Sequence, residues 1–292
     1  MHELQGVSLS GLFIWEIVLR DTIMTKTIKD LIIAIKGAGE MATGVAWRLF
    51  QSNFKHIFMM EIKNPIAVRR QVSFCESVYD DKITVEGVEA NRISHPDDIR
   101  MTWNGGSVPV IVDPDWKSIQ AMRPQVVVDA IIAKKNLGTH LSEAPLVIGL
   151  GPGFEAGKDV HMVIETNRGH DLGRIILTGG AEPNTGTPGN ISGYTKERVL
   201  RSPCSGIYKS SLCIGDPVKQ NDVVGHVDRK PVIAGIDGVL RGQIRNNTMV
   251  TAHLKIGDID PRGNRQNCIT ISEKARAIGG SVLEAILRKY NQ

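Results

Sequence analysis

Every position from Leu31 to Ile35 is apolar, reading Leu31-Ile-Ile-Ala-Ile35. A continuous aliphatic and β-branched run predicts a central parallel strand buried on both faces. The pattern then breaks into Lys36-Gly37-Ala38-Gly39-Glu40-Met41-Ala42 and resumes at helical spacing with Val45, Ala46, Leu49 and Phe50. Strand, glycine turn and helix follow in the order that gives a GxGxxA pattern its meaning. Gly37 permits the tight turn, Gly39 lets a pyrophosphate approach the backbone, and Ala42 allows close packing of helix on strand. Ala38, Glu40 and Met41 complete the turn and the helix start that would face the anion. A second strand, His56–Met60, ends in Glu61, where an acid can accept both ribose hydroxyls.

Further apolar runs follow at α/β spacing. Val108–Val112 leads to Asp113, a helical stretch spans Trp116 to Met122, Val126–Val128 leads to Asp129, and Leu146–Gly149 comes next. Asp113 and Asp129 end strands, which suits either a ligand site or a turn cap. Val85-Glu-Gly-Val88 reads as an inserted hairpin. Together these elements predict a Rossmann-like parallel-sheet domain over residues 28–198, preceded by an extension over residues 1–27.

The middle of the chain is densely polar. In a strand over Val160–Thr166, His161, Val163 and Glu165 share one face. The following loop supplies Arg168, His170, Asp171 and Arg174. This cluster suits an anion or substrate site built on Arg168, His170 and Arg174, with Asp129 nearby. It equally suits proton transfer by His170 with Asp171 as orienter. A metal held by His161 and Glu165 is the weakest option, because no HxH or HxxxH spacing appears, and no metal is expected. A self-satisfied ion-pair network stays open beside these. Gly179–Gly189 is a long Gly/Pro-rich loop leading into a β-rich region.

There the alternation repeats. Residues 205–228 and 237–260 align without a gap at an offset of 32, with Gly206, Val218, Gly225 and Asp228 matching Gly238, Val250, Gly257 and Asp260. Each half is too short to fold alone and would bury its apolar face on the other. The pattern resembles the barrel-sandwich hybrid of biotinyl and lipoyl carrier domains, assigned here to residues 199–266. In those carriers the modified lysine stands on a hairpin matching Asp228-Arg-Lys230-Pro231. Without a Met-Lys-Met, and with Pro231 stiffening the tip, no covalent biotin or lipoate is expected. Residues 267–292 form a C-terminal helix whose Ala277, Ile278, Leu283, Ile286 and Leu287 suit core packing or a homo-oligomer contact.

Composition narrows the class. The 292 residues are 41% hydrophobic and 23% charged with a net charge of +4, an ordinary globular balance. No dense Lys/Arg stripe points to nucleic acid. Four cysteines lack any CxxC pair, consistent with a reduced, cytoplasmic protein. Residues 1–23 carry neither a signal-peptide pattern nor a membrane span.

Lys36-Gly-Ala-Gly39, Arg69-Arg-Gln-Val-Ser-Phe74, Gly149-Leu-Gly-Pro-Gly-Phe154, Glu165-Thr-Asn-Arg-Gly-His-Asp-Leu-Gly-Arg174, Pro183-Asn-Thr-Gly186 and Val199-Leu-Arg-Ser-Pro203 together resemble the bacterial YqeB-type family. The resemblance runs from Met24 onward. It implies an accessory role in maturation of selenium-dependent molybdenum hydroxylases, with the hydroxylase apoprotein or other maturation factors as partners. The ligand it implies is a molybdopterin dinucleotide or a labile selenium group. It implies no particular catalytic residues. A more distant likeness to xanthine dehydrogenase maturation factors points the same way. The residues themselves leave NAD or NADP open, and with them an NAD(P)-dependent oxidoreductase using His170 as proton donor. A non-catalytic scaffold or a carrier module is the remaining alternative.

Overall fold

A computed structural model describes residues 27–291. The expected N-terminal extension therefore lies, except for Thr27, outside the described residues. Nine strands form the large sheet: β1 Ile33–Lys36, β2 Ile57–Glu61, β3 Lys82–Val85, β4 Val88–Ile93, β5 Val108–Val112, β6 Val126–Asp129, β7 Leu146–Leu150, β8 Met162–Ile164 and β9 Ile175–Ile176. Their order is β3-β4-β5-β2-β1-β6-β7-β8-β9. From β4 to β8 all neighbours are parallel, and each edge strand, β3 and β9, is antiparallel. β1 lies between β2 and β6, in register Lys36↔Met60 and Lys36↔Asp129. The chain thus leaves β1 toward one side and returns as β6 on the other, opening a crevice at the carboxyl ends of these strands.

Alternation along β1 feeds two cores. Ile33 and Ile35 pack with Val45 and Leu49 of helix α1 (Glu40–Gln51) on one face. Ala34 packs with Phe58, Val127 and Val147 on the other, where helices α2 (Asp98–Asn104) and α3 (Lys117–Met122) contribute Ile99 and Ile119. Asp113 serves α3 as a cap, accepting the amides of Lys117 at 3.1 Å and Ser118 at 2.7 Å. The inserted hairpin forms as β3–β4, with Glu86 and Gly87 at its turn.

The C-terminal helix α4 (Glu273–Tyr290) returns to this unit. It lays Ile278, Val282 and Ile286 into the same core as α1. The crossing is glycine-to-backbone: a Cβ on Gly279 would lie 2.7 Å from the Gly44 carbonyl oxygen, and one on Gly44 2.7 Å from the Ala275 Cβ. The hairpin turn pins the start of α4, since Glu86 accepts the Ile271 amide at 2.7 Å and two Arg276 bonds at 2.6 Å.

Eight strands build the β-rich unit: β10 Val199–Arg201, β11 Gly206–Lys209, β12 Pro217–Val218, β13 Val223–Val227, β14 Lys230–Ile233, β15 Gly238–Gln243, β16 Thr248–Val250 and β17 Lys255–Asp260. They form two four-stranded sheets, β10-β17-β15-β12 and β14-β13-β11-β16. The repeat is visible in the ladders. Gly206↔Val250 answers Val218↔Gly238 with the halves exchanged, and Tyr208↔Val227 has its counterpart in Leu240↔Ile259. Tyr208, Val227, Leu240 and Ile259 fill the shared core. Lys230 is exposed at the first position of β14, beside the Asp228-Arg229 turn.

The segment Val68–Arg70 joins the two units. Arg69 donates to the carbonyls of Asn267 (2.7 Å) and Thr270 (2.9 Å), and Arg70 to that of Gln243 (2.8 Å). The whole is mixed α/β: one large parallel and antiparallel sheet, two smaller sheets and a C-terminal helix. No helix among the described residues is long and apolar enough to cross a membrane.

Candidate functional site

The turn between β1 and α1 is set by its glycines. Gly37 sits at φ +86°, a conformation a side chain rarely adopts, and donates its amide to Met60 O at 2.8 Å. A Cβ there would stand 3.3 Å from the Ile131 Cα, so the two strand ends approach closely. Gly39 is the N-cap of α1 and meets no atom within 4 Å of where its Cβ would be. Thr43 makes the first bond into the helix, to Gly39 O at 2.8 Å, which leaves the amides of residues 39–42 as the usual unsatisfied donors of a helix start.

Glu61 closes this turn from β2. Its carboxylate accepts the Ala38 amide at 2.9 Å and the Ile62 amide at 2.8 Å. Burial raises its pKa, and those two bonds oppose the rise. Gly37, Gly39, Glu40, Met41 and Glu61 line a single crevice of about 470 Å³, with residues 130–132 as its other wall. Ala38 lies buried beneath it. Ile62 and Ile66, both about half exposed, present apolar surface at its mouth.

Behind the turn is a polar network of Lys36, Thr139 and Glu143 that sequence reading missed, and it takes in Asp129, which does not line the cleft that holds Arg168. Lys36 is fully buried, its Nζ donating to Thr139 Oγ1 at 2.8 Å and pairing with Glu143 at 2.7 Å. Asp129, also buried, accepts Thr139 Oγ1 at 2.7 Å and the Ile131 amide at 3.2 Å. Burial raises the Asp129 pKa, against those bonds and the Lys36 charge. The available signal was a lysine ending an otherwise apolar strand directly before Gly37. A groove of about 840 Å³ on that sheet face takes Trp116, His140 and Glu143 in its wall, and no sequence-predicted site residue.

The predicted polar cluster is divided. Arg168 points into a cleft beside the crevice and pairs with Glu273 of α4. Asp171 and Arg174 pair with each other at 2.8 Å. His170 is exposed and lines neither the crevice nor the cleft. Glu165 is buried, and its carboxylate takes the amides of Asn167 (2.6 Å) and Glu182 (2.7 Å), tying down both ends of the intervening loops. His161 accepts the Val147 amide through Nδ1 at 2.9 Å, and burial lowers its pKa, with Lys289 adding to the shift. Among the described residues, no group of three or more His, Cys, Asp or Glu side chains is placed to hold a metal ion.

The cleft, about 430 Å³, shares Glu40, Met41 and Ile132 with the crevice. Its floor is Asp258 of β17, which is bonded to Arg198 at 2.8 Å, Arg241 at 2.8 Å and Lys255 at 3.2 Å. Burial alone would raise the Asp258 pKa, but the three cations outweigh it and hold it below the usual value.

No protein-family model matches the chain. It is 46% identical over 261 residues to the Escherichia coli (strain K12) protein described as "Uncharacterized protein YqeB". That match covers 89% of this chain and 48% of the relative, so the chain spans about half the relative's length. Identity at that level across most of the chain supports the YqeB family. Among solved structures, an aspartoacylase family protein from Mesorhizobium loti shares 14% identity, covering 49% of this chain and 60% of that one at a TM-score of 0.23. A succinylglutamate desuccinylase/aspartoacylase from Rhodobacter sphaeroides shares 12%, covering 78% and 85%, also at 0.23. Neither overlap reaches the level of a common fold.

Proposed function

We propose, with the YqeB family as premise, that this chain binds a dinucleotide-type ligand in the crevice and acts as an accessory factor in molybdenum hydroxylase maturation. The observation that carries the binding reading is the convergence of the Gly37-Ala38-Gly39 turn, the start of α1 and Glu61 on one crevice between β1 and β6. The strand order β5-β2-β1-β6-β7-β8 supports the reading of this sheet as doubly wound and Rossmann-like. In this reading the pyrophosphate rests on the amides of residues 39–42, where the helix dipole favours negative charge. Glu61 accepts the ribose hydroxyls, and Ile62 and Ile66 flank the base. The β-rich unit, with its exchanged and duplicated ladders, is read as a barrel-sandwich-hybrid-like domain without a covalent group.

Thermal-shift titration with NAD, NADP and cytidine nucleotides tests the crevice, using Gly39→Asp as the comparison. A ligand-dependent rise in Tm in the parent and none in the variant is the expected result. No rise in the parent with any of them removes the reading. The accessory role, with the hydroxylase apoprotein or other maturation factors as partners, rests on the motif resemblance. It fails if hydroxylase activity and selenium content survive deletion of the gene. The alternative, an NAD(P)-dependent oxidoreductase, is less well supported because His170, its proposed proton donor, lines neither cavity.

A further inference from the structure

The cleft beside the crevice carries more positive charge than its own acids can balance. Seven of its lining residues are Lys or Arg and three are Asp or Glu. Arg198 and Arg241 are almost fully buried, and together with Lys255 they share the single carboxylate of Asp258. The neighbouring acid, Asp260, reaches Arg241 only at 3.9 Å and is engaged more closely by the Arg262 side chain, at 2.8 Å and 2.7 Å. Cations concentrated away from water cost stability unless a counter-charge is present.

Lys274 adds to the excess. It stands in the first turn of α4, half-buried in the cleft, and makes no hydrogen bond or ion pair with any described residue. Burial lowers its pKa and the charges of Arg168 and Lys255 lower it further, while Glu40 and Glu165 offset this only in part. Opposite it runs the loop Pro183–Gly189, which presents Asn184, Thr185 and Thr187 to the same space. That loop is held at one end by the Glu182 amide on Glu165 and at the other by Arg198 bonded to Gly189 O at 3.0 Å.

We infer that this cleft is an oxyanion site for a small phosphorylated molecule, with Lys274, Lys255 and Arg241 supplying the charge and the threonine loop supplying hydroxyl donors. Lysine ammonium groups act on phosphate as point charges and need no planar partner. A recess of about 430 Å³ suits a small ligand. The inference does not rest on nucleotide binding in the crevice, which would use backbone amides at the start of α1, whereas the cleft uses the side chains of Lys274, Lys255 and Arg241.

Isothermal titration of the full chain with inorganic pyrophosphate tests it. The parent should bind saturably, with affinity falling as salt is raised. Lys274→Gln and Lys255→Gln should each lower the affinity about tenfold or more, as expected for loss of a charged hydrogen-bond donor. Circular dichroism melting of both variants checks that the fold is retained. Gly39→Asp, which does not line the cleft, should remove at most a pyrophosphate bound on the α1 amides and leave a saturable site that still weakens on Lys274→Gln and Lys255→Gln. Absence of saturable binding overturns the inference, as does unchanged affinity in both lysine variants. Loss of pyrophosphate binding in Gly39→Asp also overturns it, by assigning the anion to the crevice. A missing nucleotide response in the parent, by contrast, would leave the pyrophosphate result standing.

Discussion

The crevice and the cleft share a wall at Glu40, Met41 and Ile132, yet they are made in opposite ways. The crevice is built mainly from backbone: one short turn, the amides of a helix start and a carboxylate from the next strand. The cleft is built from side chains delivered by segments far apart in sequence, Arg168, Arg198, Arg241, Lys255 and Lys274. A backbone site tolerates little variation in conformation but asks few residue types of the chain. A side-chain site depends on the tertiary fold to hold its charges together, and so ties binding to stability.

The substitution with the largest expected effect strikes the cleft. Asp258→Ala leaves Arg198 and Arg241 buried without their shared counter-ion and should cost about 3–5 kcal/mol in denaturant unfolding. A loss below about 1 kcal/mol would mean that water already relieves these charges. Next is the helix crossing that brings Lys274 into place. Gly44→Val drives a branched side chain into Ala275 and should cost about 1–3 kcal/mol. It should also weaken pyrophosphate binding by displacing α4, whereas a purely local effect on stability would separate the helix crossing from the cleft.

Gly39→Asp makes the sharpest separation with a small change in stability. The position faces open space at φ −70°, and Asp is a better N-cap than Gly by a few tenths of a kcal/mol. Unfolding stability should therefore hold or rise slightly while the proposed nucleotide response disappears. A drop of more than about 1 kcal/mol would show that the turn is packed and not open. A further effect is confined to acid. Burial would raise the Asp260 pKa, but bonds from the Arg262 side chain and amide and from Asn267 outweigh it and bring it to about 2, against 3.8 ordinarily. A depressed carboxyl stabilises the fold above its unfolded pKa and loses that contribution as pH falls through the folded value. Stability should thus decline between about pH 4 and pH 2, and Asp260→Asn should flatten that part of the curve.

The same contrast explains what could be read in the sequence. Leu31–Ile35 and the glycine turn are contiguous, so their strand-turn-helix order and the position of Glu61 were legible without tertiary information. So was the 32-residue repeat, because each ladder pairs positions fixed by that offset. Glu165 and His161 read as one face of a strand over Val160–Thr166, but the strand spans only Met162–Ile164 and leaves them beyond its two ends, each satisfied by backbone amides that only folding brings near. The α4 helix was evident from its apolar spacing, while its seat on α1 depended on Gly44 and Gly279, whose small size carries no directional signal. Lys274 showed nothing in its local pattern, since its lack of a partner is a property of the assembled cleft.

The return of α4 to α1 also orders events during synthesis. Ile278, Val282 and Ile286 cover the outer flank of a core whose other members begin at Leu31. A ribosome moving from the amino end therefore exposes an apolar flank of the sheet unit until residues 273–290 have emerged. For most of translation the nascent chain presents a half-covered sheet, a species prone to chaperone capture and to sticking to its neighbours. The cleft comes into existence only when that flank is sealed, because the helix that seals it also brings Lys274. A chain stalled before residue 273 would carry the complete glycine turn and none of the α4 contribution to the anion site.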